Sequence, residues 1–516
     1  MKNILRNILL GGLSVTMLAS CNLDLVPSTA IKYEKGERLI LSGQDVQEFL
    51  NGVIASYRGL HYGQFYQTVE VMSECFNATV DFGNNYGFVH RLGDDLLADD
   101  EYTTSIWASH YAAIKNYNFA IEQSLLVEDE ALLASAELLR GMAYFCRASS
   151  YLALARAYSA DYEPETAADA LSVPLILKYD QYEKPVQSKL QDVYDQIIID
   201  LDAAESILKK AAEAGSTIYS TKLAGQPMAM VPTIDAVKAL KARYFLDIHE
   251  YADAADYALE VIESEAGYVL SKTVDEMNTE FMLDAGKESI MRLYASQTEG
   301  LVGCTIYTGV ASTEKEGKFF QPLFIPSKTI IDAYDNSDLR KQTWFPVDLY
   351  PVKMDGTLYK GIHMFTKYIG NSTLQEKKNE DGRHYCKPIM LAEMYLIAAE
   401  ALAQDGSTAE AAQVLNELQT ARKAKPTDGS LESVQKEWLR ETVGDGQRIS
   451  CIKRWGIGLP ARPAQAAAQD IVMTTPVEDY TGRTLAADSH TLVWPVPSYE
   501  INIAPYLKQN PGYTEE

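Results

Sequence analysis

Apolar positions along this chain recur mostly at helical spacing, three and four residues apart, and the recurrences come in neighbouring couples. The most regular couple lies between Lys387 and Pro426. Leu391, Tyr395, Ala398 and Leu402 share one helix face, and Gly406 stops that helix by accepting left-handed backbone. Ser407 with Glu410 reads as a capping box that opens a second helix. Ala411, Leu415 and Leu418 give it a matching stripe, and Ala398, Ala399 and Ala411 are small enough for the two backbones to come close. A hairpin of this size is a tetratricopeptide-like unit. One unit cannot bury its own apolar face, so others are expected.

Three more couples meet that expectation. Val46, Phe49, Leu50, Val53 and Tyr57 mark a helix from about Ser42, and Trp107, Tyr111, Ile114 and Ala120 mark a partner over Ser105 to Leu126. Tyr144, Ala148, Tyr151, Ala155 and Tyr158 form the next stripe. Its partner carries Val193, Ile197, Leu201, Ala204 and Leu208 behind a cap of Ser188 with Gln191. Ala236 to Ser264 is a compact hairpin that turns at His249 to Tyr251 and closes on Ala254 and Ala258. The pairs thus occupy 42–126, 134–210, 234–264 and 388–423, unequally spaced and interrupted by insertions. Residues 73–104 break the period with Gly, Asn, Asp and aromatics, which is loop chemistry. The longest aperiodic stretch, about 265–386, contains a strand hairpin around Asp355-Gly356; irregular segments of such length are usually functional. Leu431 to Arg448 reads as one further helix before a Pro-rich tail. The fold class is mostly α: four degenerate tetratricopeptide-like helix pairs as a scaffold, with long irregular loops and a few short strands.

At 516 residues, 47% hydrophobic and 23% charged, the chain is globular, and a net charge of −25 argues against nucleic acid as a partner. Tyrosine is in excess, 32 against 14 Phe and 5 Trp, and a buried Tyr needs only one hydroxyl partner, so part of the excess serves the core. Residues 1–20 read as a leader, with Lys2 and Arg6 ahead of an apolar run from Ile8 to Met17. Leu18-Ala19-Ser20-Cys21 resembles a bacterial lipobox, which makes Cys21 the lipid-attachment residue. No later stretch is apolar enough to cross a bilayer, so attachment is expected through lipid alone. Cys75, Cys146, Cys304, Cys386 and Cys451 are odd in number with no CxxC spacing, and fit neither a disulfide framework nor a zinc site.

The landmarks together resemble the SusD/RagB family of outer-membrane nutrient-binding lipoproteins, over essentially the whole chain after Cys21. Ala136 to Tyr158 is similar to the family's A-x-x-x-R-x-x-x-Y-x-x-L-x-x-x-Y helix. Ala392 to Ala401 resembles its E-x-Y-L-I-x-A-E-A signature, continued by Leu415-Asn416 and Arg422. Gly446-Gln447-Arg448 through Lys453-Arg454-Trp455-Gly456 resembles its G-x-R-x-x-D-L-x-R-W-G run, with Cys451 where an acid is common. Trp494 to Tyr513 follows its closing pattern. The resemblance implies a non-catalytic surface protein on the cell outer membrane. It binds oligosaccharide nutrients and delivers them to a SusC-like TonB-dependent transporter. A RagB-like peptide ligand, a glycoside hydrolase and a pure tetratricopeptide interaction scaffold are the alternatives. In sequence the chain divides into the leader (1–20), an N-terminal region with pairs 1 and 2 (21–230) and a C-terminal region with pairs 3 and 4 (231–516).

Arg140, Glu393, Glu400, Arg448 and Arg454 read as architecture, pairing within packed helices. Ligand contacts are expected on the loops, where aromatic planes stack on sugar faces and polar groups bond hydroxyls. The candidates are Phe82, Asn84, Asn85, Tyr86 and Phe88 in the first loop and Trp344, Phe345 and Tyr350 in the large insertion, led by Tyr86 and Trp344. For each, packing of the loop onto the scaffold is the competing reading. No GxSxG, HExxH or GxGxxG motif is present, and the 7 histidines show no ligand spacing. No cofactor or metal is expected: Asp335, Asn336 and Asp338 have a loose calcium-like spacing that a solvated turn explains as well.

Overall fold

All eight pair helices form: α1 (Gly43–His61), α2 (Glu101–Leu125), α3 (Glu130–Tyr158), α4 (Leu190–Glu213), α5 (Ile234–Asp247), α6 (Tyr251–Ile262), α7 (Leu391–Gln404) and α8 (Thr408–Ala421). The computed structural model describes residues 36–514 apart from 62–63, 181, 183, 215–221, 224–225, 228–230, 300–302 and 377, so the leader and Cys21 lie outside the described residues. The pairs stack in chain order: α1 and α2 pack on α3, α3 on α4, α4 on α5, α5 on α6, α6 on α7 and α7 on α8. The fourth pair therefore joins the third directly, across the insertion that separates them in sequence. Small residues make the seams close. A side chain at Gly141 of α3 would come within 2.9 Å of Ile207 on α4, and Ala398, Ala399 and Ala411 are fully buried. The apolar core runs unbroken from Ile40 to Leu507.

Two expected caps take other forms. Ser407 stands at the N-terminus of α8 without a side-chain cap; its N–H donates to Leu402 O at 2.8 Å and that of Gly406 to Ala403 O at 3.2 Å. This closes α7 as a Schellman motif, with Gly406 at φ 85°, and leaves no free N–H for Glu410 to reach. Ser188 does not cap α4 either: it lies in the strand Gln187–Lys189, which pairs with Leu171–Pro174, and its Oγ accepts from Leu175 N. The orphan N–H groups of Leu190 and Gln191 donate instead to Ala170 O and Ala167 O.

The expected helix over Leu431 to Arg448 divides into Leu431–Glu441 and Arg448–Arg454. Gly444 and Gly446 between them hold φ 85° and 68°, and a side chain on Gly444 would strike the Phe365 ring at 2.6 Å. That turn carries Asp445 to Lys367. The loop after α1 is also more structured than its composition implies. It contains the helices Gln64–Met72 and Gly87–Arg91 and the strand Phe76–Ala78. The first of these helices shows no helical period because residues 67–72 are buried all round, polar ones included.

The large insertion is folded against the stack. Its Ser289–Leu293 strand pairs antiparallel with Cys386–Met390, which leads into α7, and Phe324–Pro326 pairs antiparallel with Phe76–Ala78. The hairpin at Asp355-Gly356 forms as expected, Val352–Met354 against Thr357–Tyr359, with both turn residues at positive φ. Phe320, Ile325, Val352, Met354, Ile471 and Val472 give this region a second, smaller core.

Candidate functional site

The first loop splits its five candidates between core and surface. Gly83, Asn84 and Tyr86 all take left-handed backbone (φ 59°, 59° and 57°), which folds the loop tightly enough to turn its side chains in opposite directions. Phe82 and Tyr86 point inward. Tyr86 stacks on Tyr102 with ring centroids 3.9 Å apart and donates its hydroxyl to Gln67 Oε1 at 2.9 Å, while Phe82 meets the edges of Phe324 and Tyr480. Their expected role as stacking platforms is corrected: at 5% and 8% exposure they plug the loop onto the scaffold. Asn84, Asn85 and Phe88 are exposed.

Two residues that the sequence did not single out complete this surface. Arg91 holds its guanidinium 5.1 Å from the Phe88 ring centre, donates through Nη1 to Asn84 Oδ1 at 3.0 Å and through Nε to Asp95 Oδ2 at 2.9 Å. The result is an exposed aromatic face, 41% accessible, beside an amide, a guanidinium and a carboxylate. A ring for an apolar sugar face, with donors and acceptors around it for hydroxyls, is the chemistry that carbohydrate recognition requires. The signal for Arg91 is its three-residue spacing from Phe88 on the short helix Gly87–Arg91; Asp95 lies beyond that helix, which ends at Leu92 in left-handed backbone.

The insertion candidates do not join that surface. Trp344 is 1% exposed, edge-on to Phe281 and 4.3 Å from the Lys367 ammonium; Phe345 is equally buried against Tyr334 and Phe365. Both are core residues, a second correction. Tyr350 is half-buried, and its hydroxyl donates to Glu380 Oε1 at 3.0 Å while Lys318 lies over its ring. The calcium-like residues are also committed elsewhere. Asp338, fully buried, caps the helix Leu339–Trp344 and pairs with Arg340, Asn336 accepts from Lys341, and Asp335 pairs with Lys425.

Two adjoining cavities share His61, Tyr66, Arg243 and Gln447; the first lies between the stack and the insertion, and the second is lined by the stack and the C-terminal segment without the insertion. Their volumes of about 50 and 70 Å³ hold a few waters and no sugar ring. Burial drives His61 down to about 3 and His110 and His384 down to about 4, so all three are neutral at pH 7. Glu393 is committed to Arg243, and Asp445 accepts from Lys367 at 2.8 Å and Tyr368 at 2.5 Å. Glu70, pushed up to about 8 by burial, is fully enclosed.

Comparison with known proteins decides the ancestry. A family model described as "Starch-binding associating with outer membrane" matches residues 23–229, and one described as "SusD family" matches residues 318–513. The chain belongs to the SusD/RagB family. A SusD superfamily protein from Bacteroides thetaiotaomicron shares the fold at TM-score 0.74 and 21% identity, over 91% of this chain and 99% of its own. A putative sugar-binding protein from Bacteroides vulgatus does so at 0.71 and 21%, over 93% and 100%. A laminarin-binding SusD-like protein does so at 0.67 and 19%, over 92% and 100%. No curated protein matches the chain. Like its relatives, it is mostly helical, and it is a member of a carbohydrate-binding family associated with the outer membrane. No helix among the described residues is long and apolar enough to cross a membrane.

The SusD/RagB motif residues hold the scaffold together. Arg140 lies 3.7 Å from Glu137 on its own helix. Glu393 of α7 pairs with Arg243 of α5, and Glu400 accepts from Arg454 Nε at 2.8 Å, Arg454 Nη2 at 2.9 Å and Trp455 Nε1 at 2.7 Å. Arg448 donates twice to Glu74 Oε1, at 2.8 and 2.5 Å. Cys451, where the family commonly has an acid, lies 3.7 Å from Arg454 Nη2; burial pushes its thiol up to about 11, so it adds no charge to that cluster. All five of Cys75, Cys146, Cys304, Cys386 and Cys451 are buried free thiols.

Proposed function

We propose that this SusD/RagB protein is a lipid-anchored, non-catalytic receptor on the outer membrane that binds oligosaccharide and passes it to a SusC-like TonB-dependent transporter. The observation that carries the reading is the exposed Phe88 ring set beside Asn84, Arg91 and Asp95 on a rigid turn. Asn85 lies on the same turn. Pre-organisation matters here, because a sugar bound by surface loops gains little if the loops must be ordered first. Three residues at left-handed φ and the Asn84–Arg91–Asp95 bonds fix the turn before ligand arrives. Family membership and the laminarin-binding relative support the ligand class. Anchoring is assigned to Cys21, and the division at 230 into two sequence regions belongs to the same reading.

Calorimetric titration with a panel of oligosaccharides, β-glucans among them, tests it. Phe88→Ala removes the stacking ring and is expected to weaken binding by about tenfold, with Asn84→Ala and Arg91→Ala weakening it less. Unchanged affinity in a folded Phe88→Ala variant refutes the site. Binding of peptides alone assigns the RagB-like alternative, and release of new reducing ends from a bound polysaccharide refutes the non-catalytic assignment. Cys21→Ala is expected to move the protein out of the membrane fraction, and co-purification with an outer-membrane channel tests the partner.

A further inference from the structure

A cluster of possible metal ligands lies at the junction of the second and third helix pairs. Asp161 and Glu163 are in the loop that leaves α3, and His249 is in the tight turn between α5 and α6, held at φ 65° with its ring stacked on Tyr251. One oxygen from each carboxylate and a ring nitrogen lie within 4.8 Å of one another. Independently of that spacing, Asp161 Oδ2 and His249 Nε2 are both sealed from solvent with no hydrogen-bond partner. A buried polar atom left unpaired costs stability, and two of them in one small cluster mark a place that a ligand completes.

Nearby cations do not fill that place. Arg156 is held by both oxygens of Asp247 at 2.6 and 2.8 Å, and Lys453 donates to the carbonyls of Arg156 and Ser159. Burial lifts the Asp161 carboxyl to about 7, and Lys453 acts in the opposite direction. Asp161 also lines a surface groove together with Lys453 and His490, which provides a path in.

We propose that Asp161, Glu163 and His249 bind a divalent cation of the zinc class. One imidazole and two carboxylates form an N/O donor set that zinc accepts with water in the fourth position. Tetrahedral ligands at zinc stand about 3.3 Å apart, so the cluster has to contract, and the exposed Glu163 is free to move inward. The cation would fasten the loop after α3 to the turn of the third pair, two segments no local motif connects.

Titration of the purified chain with zinc chloride at pH 7.5 is expected to show one equivalent bound. The affinity should fall about tenfold or more in His249→Gln and Asp161→Asn, and measurably in the surface variant Glu163→Gln. Far-ultraviolet circular dichroism checks that each variant is folded. Cobalt(II) chloride identifies the donors: this site gives visible d–d absorption without near-ultraviolet thiolate bands. No zinc uptake at about 100 µM, uptake unchanged in folded His249→Gln and Glu163→Gln variants, or thiolate bands with cobalt would each overturn the assignment.

Discussion

Arg422→Met removes one centre of a buried ionic cluster that joins three parts of the chain. Arg422, fully buried at the end of α8, donates to Glu441 Oε1 at 2.6 Å and Oε2 at 3.1 Å, to Glu288 Oε2 at 3.2 Å and to Ser271 O at 2.9 Å. Arg340 of the insertion contacts the same Glu441 at 2.7 Å and also holds Glu437 and Asp338. Methionine fills similar volume but leaves Glu288 without its guanidinium and Glu441 with only one, and stripping a partner from a buried pair costs about 3–5 kcal/mol. At about 2 cal/mol/K per residue, the roughly 460 described residues unfold with close to 1 kcal/mol/K, so Tm falls about 3–5 °C. Arg422→Lys should recover little, because an ammonium cannot span both carboxylates. Thermal and urea unfolding followed by circular dichroism measure both variants.

The cluster also has an acid signature. Burial raises the Glu441 carboxyl, but Arg422 and Arg340 outweigh it and hold it at about 2, below the ordinary 4.5. Its contribution is therefore fully present above pH 4.5 and is lost as pH falls towards 2. Arg422→Met should shrink that loss. A variant within 1 kcal/mol of wild type, with the same acid profile, would show that Arg422 is not what stabilises this junction.

Glu70 gives the opposite pH dependence. Burial lifts it to about 8 against 4.5 unfolded, so its contribution is intact below pH 4.5 and is lost as pH rises through 8. Glu70→Gln should match wild type at pH 4 and exceed it by about 3 kcal/mol near pH 7, read from urea midpoints across pH. Gly429→Ala should cost about 2 kcal/mol in the same assay, because a side chain there would meet Thr408 O at 1.9 Å and Ala412 N at 2.5 Å. Trp344→Ala should destabilise by about 3–5 kcal/mol, whereas Trp344→Phe should keep both the fold and full oligosaccharide affinity. Loss of affinity in a stable Trp344→Phe variant would return Trp344 to the binding site.

The stacked pairs were legible because helices such as α4 keep one face in the core and one towards water, which writes a period into the chain; α7, buried almost all round, was legible from its length and its Gly406 stop. Gln64–Met72 has no such contrast: Thr68, Glu70 and Met72 are all enclosed, so its helix left no alternation to read. The aromatic candidates divided for a related reason. Sequence shows that a loop holds Phe82, Tyr86 and Phe88, but the direction of each ring depends on the backbone sign at Gly83, Asn84 and Tyr86, which only tertiary packing sets. Trp344 and Phe345 misled because the insertion looks irregular yet sends them into the main core, held there by strand pairing to distant segments.

That packing explains why so much charge is buried here. The fourth helix pair must find the third across an intervening insertion, and apolar burial, being non-directional, does little to fix the register between them. Arg243–Glu393 across 150 residues and Arg448–Glu74 across 374 have no such tolerance, because a shifted register strands a buried charge. Hydrophobic burial supplies the drive to stack, and the ionic pairs select one arrangement among several of similar apolar area. On this view the SusD/RagB motif residues Glu393, Glu400, Arg448 and Arg454 serve alignment of the scaffold, each committed to a buried ion pair.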